Sequence, residues 1–131
     1  MAVIDASVWV SYINEKDKFH DKARDIFNTI NSTKEEISIP VLALTEVAGV
    51  IKRVTQDQEA AFDAVRLMES MKPEILADFG ELEPIATQIA VNYSTRGADA
   101  YYIAVAVVTR SQLYTFDQQQ GHAFEEMNKT R

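Results

Sequence analysis

A short apolar run at residues 2–4 ends at an acid, Asp5, and a second apolar run starts three residues later. A short run that is wholly apolar is typical of a strand buried on both faces, as in a parallel sheet. Ser7 precedes Val8 in the second run, which predicts a helix capped by Ser7. Ligands of open α/β sheets bind outside the carboxyl ends of the strands, so Asp5 is a candidate site residue.

The rest of the chain alternates between strand-like and helix-like segments. Further strands are predicted at residues 36–39, 73–79 and 112–117. Helices are predicted at residues 20–30, 41–54, 56–71 and 100–109, with another opened by Glu83-Pro84 and a short terminal helix ending at Lys129. This alternation predicts a parallel sheet with helices on both faces and right-handed crossovers.

Length and composition limit what such a chain can do. Its 131 residues suit a single domain, residues 1–131, with one core. It has no cysteine, no apolar run long enough to span a membrane and no basic leader, so we expect a cytoplasmic protein without disulfides or thiolate metal sites. The net charge of -7 argues against a broad nonspecific nucleic-acid surface. It leaves room for a nucleic-acid enzyme that holds acids around a metal and presents a small basic rim.

Four acids stand at special places. Asp5 and Asp117 follow strand-like runs, Asp99 lies at a helix start after Gly97, and Glu46 lies inside an otherwise apolar helix. Four carboxylates at one end of a sheet repel one another unless a cation lies among them. Oxygen ligands without cysteine or a histidine pair favour Mg²⁺ or Mn²⁺ over Zn²⁺. A cation held this way is suited to phosphodiester hydrolysis.

Each acid also has a simpler interpretation. Asp99 alone fits a helix N-cap, and Asp5 or Asp117 alone fits a turn after a strand. Glu46 is harder to explain in this way, because a single carboxylate in apolar surroundings is costly. The set of four favours a site over four separate structural roles.

The motifs around these acids resemble those of the PIN-domain ribonucleases and, more narrowly, the VapC toxins of type II toxin–antitoxin systems. The resemblance extends over nearly the whole chain, and the matching segments are residues 3–7, 44–47, 97–100 and 113–117. It implies a three-layer α/β/α sandwich with a central parallel sheet, and cleavage of RNA that depends on Mg²⁺ or Mn²⁺. It also implies homodimers and neutralisation by a small antitoxin protein.

Carried over by residue, the resemblance makes Asp5, Glu46, Asp99 and Asp117 the catalytic quartet. Asp5, Asp99 and Asp117 are expected to bind metal directly, while Glu46 either joins them or orients the attacking water. Ser7 and Thr115 match polar positions that support the first and last acids. One departure is Gln119, where some members of the family place a further acid, and it leaves the number of metals open.

Two arginines are candidates for contacting substrate phosphate. Arg96 is close to Asp99, and Arg53 lies seven residues after Glu46 on roughly the same helix face. A solvated surface charge is the simpler interpretation of each. Aromatic residues at helical spacing are expected in the core or an interface rather than as base-stacking platforms, and these are Trp9, Tyr12, Phe19, Phe27 and Phe62. Tyr101 and Tyr102 follow Asp99 closely, so one of them is a candidate to face the cleft.

Two other functions compete with the ribonuclease. The first is a catalytically weak PIN-like module that binds RNA or a protein. The second is a phosphate-handling receiver domain, which needs a phosphoacceptor acid after a middle strand and a lysine after a late one. Here Asp117 follows the late strand and no lysine does, which argues against a receiver. A glycine-rich phosphate loop is also missing from the sequence.

Overall fold

The computed structural model describes residues 1–77 and 79–129. Within them a four-stranded sheet is built from β1 (Ala2–Ile4), β2 (Ile37–Pro40), β3 (Glu74–Leu76) and β4 (Gln112–Tyr114). The strands are all parallel, in the order β3-β2-β1-β4. β1 is therefore a central strand, and its carboxyl end lies between those of β2 and β4.

Helices connect these strands and flank the sheet. They are α1 (Ala6–Ile13), α2 (His20–Thr33), α3 (Leu42–Thr55), α4 (Gln58–Ser70), α5 (Phe79–Tyr93), α6 (Gly97–Thr109) and α7 (Gln118–Lys129). The predicted parallel sheet sandwiched by helices is confirmed. In the described residues no helix is both long and apolar enough to cross a bilayer.

The core forms where β1 and α6 pack together. All three residues of β1 are completely buried, and so are most residues in the middle of α6. Trp9 is buried as well, and its indole nitrogen donates a 3.1 Å hydrogen bond to the carbonyl oxygen of Ile4. Its ring contacts Phe27, whose ring also stacks on Tyr12. Burying these apolar surfaces is the main force that packs α1 and α2 against each other.

Two helix starts differ from prediction. The cap of α1 is Asp5 rather than Ser7, because the Asp5 carboxylate accepts a 3.3 Å hydrogen bond from the amide of Val8. α5 begins at Phe79, so Pro84 lies inside the helix instead of in its first turn. An interior proline removes one backbone hydrogen bond, which an otherwise regular helix of 15 residues can tolerate.

The strands are also shorter than predicted. The third predicted strand, residues 73–79, is reduced to Glu74–Leu76, and its residue 78 lies outside the described residues. The last one, residues 112–117, ends at Tyr114. Beyond Tyr114 the backbone amides bond to side-chain hydroxyls instead of a neighbouring strand, with Phe116 donating to Ser7 and Asp117 to Thr115. Beyond the end of β4, hydrogen bonds to side chains therefore replace the backbone hydrogen bonds between strands, and they position the segment that carries Asp117.

Candidate active site

A cavity of about 620 Å³ opens at the carboxyl ends of β1 and β4. All four candidate acids line it, and each comes from a different segment of the chain. Asp5 follows β1, Glu46 lies in the second turn of α3, Asp99 lies in the first turn of α6, and Asp117 immediately precedes α7. The fold thus brings together residues that are as many as 112 positions apart in the sequence.

Asp5 is the most buried of the four, with 3% of its surface exposed. Its Oδ1 accepts hydrogen bonds from the Ser7 hydroxyl (2.6 Å) and the Val8 amide, and its Oδ2 accepts one from the Thr115 hydroxyl (2.5 Å). Burial raises the pKa of Asp5 above its usual value, the three hydrogen bonds lower it, and the nearby charge of Asp99 raises it further. Burial prevails, so the ionised carboxylate is held in a place where its charge is unfavourable.

Ser7 and Thr115 each link Asp5 to the segment that carries Asp117. The Ser7 hydroxyl donates to Asp5 and accepts from the amide of Phe116 at 3.0 Å. The Thr115 hydroxyl donates to Asp5 and accepts from the amide of Asp117 at 2.9 Å. Thr115 was predicted to support the last acid, but its hydroxyl contacts only the backbone of Asp117 and bonds the carboxylate of Asp5. The two hydroxyls therefore fix the first and last acids relative to each other.

Glu46 is held by a tyrosine. The hydroxyl of Tyr102, whose side chain is completely buried in α6, donates a 2.8 Å hydrogen bond to Oε1 of Glu46 in α3. Burial, and next the charge of Glu46, strongly raise the pKa of the Tyr102 phenol, so it remains protonated and acts as a donor. The sequence left open which of the adjacent Tyr101 and Tyr102 faces the cleft, and the structure shows that Tyr102 contacts an acid of the cavity.

Arg96 lies across the two remaining acids. Its Nε is 3.2 Å from Oδ2 of Asp99, and its Nη2 is 3.5 Å from Oδ2 of Asp117. The simpler interpretation of Asp99 as a helix cap is wrong, because the cap residue of α6 is Arg96 and Asp99 lies in the first turn. Burial raises the pKa of Asp99, Arg96 lowers it and Asp117 raises it, with a net upward shift. Arg53, the other candidate arginine, also lines the cavity.

Sequence reasoning missed Gln120, which is 1% exposed. Its backbone amide donates a 3.1 Å hydrogen bond to Oδ1 of Asp117. In its side chain, Oε1 accepts from the Thr115 hydroxyl at 3.5 Å, and Nε2 donates to the backbone carbonyl oxygen of Asp99 at 3.5 Å. Gln120 belongs to a polar run of three glutamines, residues 118–120. Gln120 lies three residues after Asp117, which is the spacing between a helix N-cap residue and the backbone amide that its side chain accepts from. This spacing is the signal in the sequence that could have predicted the contact.

The chemistry of the cavity suits a hard divalent cation. Its potential ligands are the carboxylate oxygens of the four acids. Burial and a neighbouring carboxylate raise the pKa of two of these acids, Asp5 and Asp99. A guanidinium already provides positive charge between Asp99 and Asp117. In the conformation described, however, no three acidic or histidine side chains are grouped as they would be around an ion, within residues 1–77 and 79–129. Binding a cation there requires the side chains to turn and Arg96 to move.

Comparison with known proteins identifies the family. In solved structures the chain resembles Mycobacterium tuberculosis VapC20, described as a sarcin–ricin loop-cleaving toxin, with a TM-score of 0.79 and 22% identity over 94% of this chain and 95% of that one. It also resembles PAE2754 from Pyrobaculum aerophilum, with a TM-score of 0.68 and 19% identity over 93% of this chain and 78% of that one. No curated protein sequence matches the chain. The PIN domain family model matches residues 2–126, and the chain therefore belongs to the PIN domain family.

Proposed function

We propose that this chain is a metal-dependent endoribonuclease that cleaves RNA phosphodiester bonds. The observation that carries the proposal is the convergence of Asp5, Glu46, Asp99 and Asp117 on one cavity. Membership of the PIN domain family and the likeness in fold to a toxin that cleaves the sarcin–ricin loop support the choice of RNA as substrate.

Asp5, Asp99 and Asp117 are the residues that would hold Mg²⁺ or Mn²⁺. When bound, such an ion would offset the charge of the phosphate and make water a better nucleophile. Hard carboxylate oxygens are the ligands these ions prefer. The hydroxyls of Ser7 and Thr115 would orient Asp5 for this task, as outer partners do for ligands in metal sites.

Glu46 is the residue that we assign to the attacking water. Its Oε1 is engaged by the Tyr102 hydroxyl, which leaves Oε2 as the oxygen to orient water and accept its proton. The anchoring bond also limits how far the carboxylate can swing into the cavity.

Arg53 and Arg96 are the residues that we assign to the substrate. Both line the cavity, and in a chain with a net charge of -7 they supply positive charge beside the acids. Arginine binds phosphate through paired N–H donors, which would place the scissile phosphate against the carboxylates.

The test is cleavage of a mixed RNA pool by the wild-type protein and by Asp99→Asn, with Mg²⁺, with Mn²⁺ and with EDTA. Asp63→Asn is a matched control, because Asp63 pairs with Arg66 on the surface of α4. We expect cleavage that needs metal, survives Asp63→Asn and falls by several orders of magnitude in Asp99→Asn. Cleavage that persists in EDTA, or that Asp99→Asn retains in full, would refute the assignment.

We further propose that the enzyme is the toxin of a toxin–antitoxin pair, as VapC20 is described as a toxin. Induced expression in bacteria should arrest growth with the wild-type chain and not with Asp99→Asn. Co-expression of a small antitoxin protein that binds the chain should restore growth. A homodimer is expected as well, and sedimentation velocity should give twice the mass of the 131-residue chain.

A catalytically weak module that binds RNA or protein is the second candidate. It is favoured by the pairing of Arg96 with both Asp99 and Asp117, which satisfies these acids without a metal. Calorimetric titration with Mn²⁺ separates the two functions. Heat of binding that disappears in Asp99→Asn supports the enzyme, whereas the absence of binding supports the weak module.

A further inference from the structure

Two aromatic rings line the same cavity as the acids. Phe19 and Phe116 are half-buried, and their centroids are 5.2 Å apart with 33° between the ring planes. From its helical spacing Phe19 was expected in the core or an interface, and in the structure its ring contacts that of Phe116 at the cavity. The site thus combines carboxylates with an apolar aromatic surface.

The backbone of each ring's residue is fixed by the polar residues of the cavity. The amide of Phe19 donates a 2.8 Å hydrogen bond to Oδ1 of Asp17, which also accepts one from the Ser11 hydroxyl at 3.0 Å. The amide of Phe116 donates to the Ser7 hydroxyl, which in turn donates to Asp5. The backbone that carries each ring is therefore hydrogen-bonded to polar residues of the cavity, and at Phe116 that bond leads to Asp5.

Positive charge lies beside the Phe19 ring. The ammonium groups of Lys18 and Lys22 lie 5.0 and 5.7 Å from the centroid of the Phe19 ring. Both lysines are exposed, and an exposed contact of this kind is weak. A planar ligand can displace them from the ring, and the ammonium groups are then available to a phosphate.

We propose that Phe19 and Phe116 form a stacking site for one unpaired nucleobase of the RNA strand beside the acids. The choice of RNA as the ligand rests on the proposed function. The stacking site narrows the substrate to RNA that has an unstacked base next to the acids. Bases inside a duplex are stacked on their neighbours, whereas bases in loops and single strands are free to stack on aromatic side chains. Lysines beside a stacking surface are the usual complement for the adjoining backbone.

The test measures binding of RNA rather than its cleavage, so its outcome does not depend on whether the protein is a nuclease. Short single-stranded oligoribonucleotides are titrated with the wild-type protein, Phe19→Leu and Phe116→Leu, with Ca²⁺ in place of Mg²⁺. Phe62→Leu is the matched control, since Phe62 is 51% exposed on α4 and does not line the cavity. We expect each cavity substitution to weaken binding by about 5- to 100-fold, and the control to leave it unchanged.

A second measurement uses only the wild-type protein and does not depend on the stability of the variants. One base at a time is replaced by an abasic residue along the oligonucleotide. We expect one position, or two adjacent ones, at which loss of the base weakens binding to the wild-type protein by about 5- to 100-fold. Equal affinity for all abasic strands, equal effects of Phe19→Leu and Phe62→Leu, or no binding of any strand would each overturn the proposal.

Discussion

The hydroxyl of Thr115 donates a 2.5 Å hydrogen bond to Oδ2 of Asp5, a residue 110 positions earlier in the chain. The bond forms one residue beyond the last strand pairing, in which Ile4 of β1 lies beside Tyr114 of β4. Where the ladder of backbone bonds ends, side-chain bonds take over and join the first acidic motif to the last. The geometry of the site therefore depends on the register of two adjacent strands.

Replacing Thr115 tests whether this bond serves the site. Thr115→Val keeps the shape and removes the hydroxyl, and we expect the rate of metal-dependent cleavage and the affinity for Mn²⁺ to fall by about 10- to 100-fold. Thr115→Ser keeps the hydroxyl and should retain most of both. Steady-state cleavage rates and Mn²⁺ titrations provide the measurements, and a Val variant equal to the wild type would contradict the role.

Tyr102→Phe removes the donor to Glu46 without changing the ring. We expect the free energy of unfolding to fall by about 1 kcal/mol, because a hydrogen bond to a carboxylate is lost while the carboxylate can still meet water in the cavity. Urea denaturation measures this. Tyr12→Phe is the control, since Tyr12 packs through its ring on Phe27. Equal effects of the two substitutions would argue against the role of the Tyr102 hydroxyl.

Asp5→Asn tests the consequence of burying a charge. Burial raises the pKa of Asp5, so between its ordinary value of 3.8 and the raised value the folded protein binds more protons than the unfolded chain. Stability therefore falls as pH rises through this window, and the loss persists at neutral pH. In EDTA we expect Asp5→Asn to melt above the wild type at pH 7, with the gap closing as pH falls through the window. A gap that does not change with pH would refute this linkage.

Much of the fold followed from local patterns. The short apolar run at residues 2–4 predicts a strand buried on both faces, and the alternation of strands with helices predicts a parallel sheet, because both patterns reflect the burial of residues close together in the sequence. Local sequence patterns do not predict where a strand ends when side chains, and not a neighbouring strand, accept the next backbone hydrogen bonds. The last strand ends at Tyr114 because Ser7 and Thr115 take the next amides, and neither bond is visible in a local window.

The site was predictable in part for a similar reason. The four acids are found from their positions at strand ends, at a helix start and inside an apolar helix, and in the structure all four line one cavity. Gln120 and Phe19 were missed, because their roles arise from contacts with distant residues. A buried glutamine and a half-exposed phenylalanine have no distinct signature in one sequence.

Arg96 provides a final prediction about metal binding. Its guanidinium lies 3.2 Å from Asp99 and 3.5 Å from Asp117, so a divalent ion that binds these acids must displace it. We expect Arg96→Gln to tighten Mn²⁺ binding by about 2- to 5-fold at low salt, a modest gain because the arginine side chain is largely exposed and its pairing is screened. Added salt should reduce the difference between the two proteins.

The matched control for this change is Arg66→Gln, which removes an arginine that pairs with Asp63 outside the cavity. Calorimetric titration of the three proteins provides the comparison, and unchanged or weaker Mn²⁺ binding by Arg96→Gln would show that the arginine does not compete with the ion. Cleavage assays then separate the two roles of Arg96. If it also binds substrate phosphate, Arg96→Gln lowers kcat/KM for RNA even as it binds metal more tightly, because losing a phosphate contact weakens the complex with RNA.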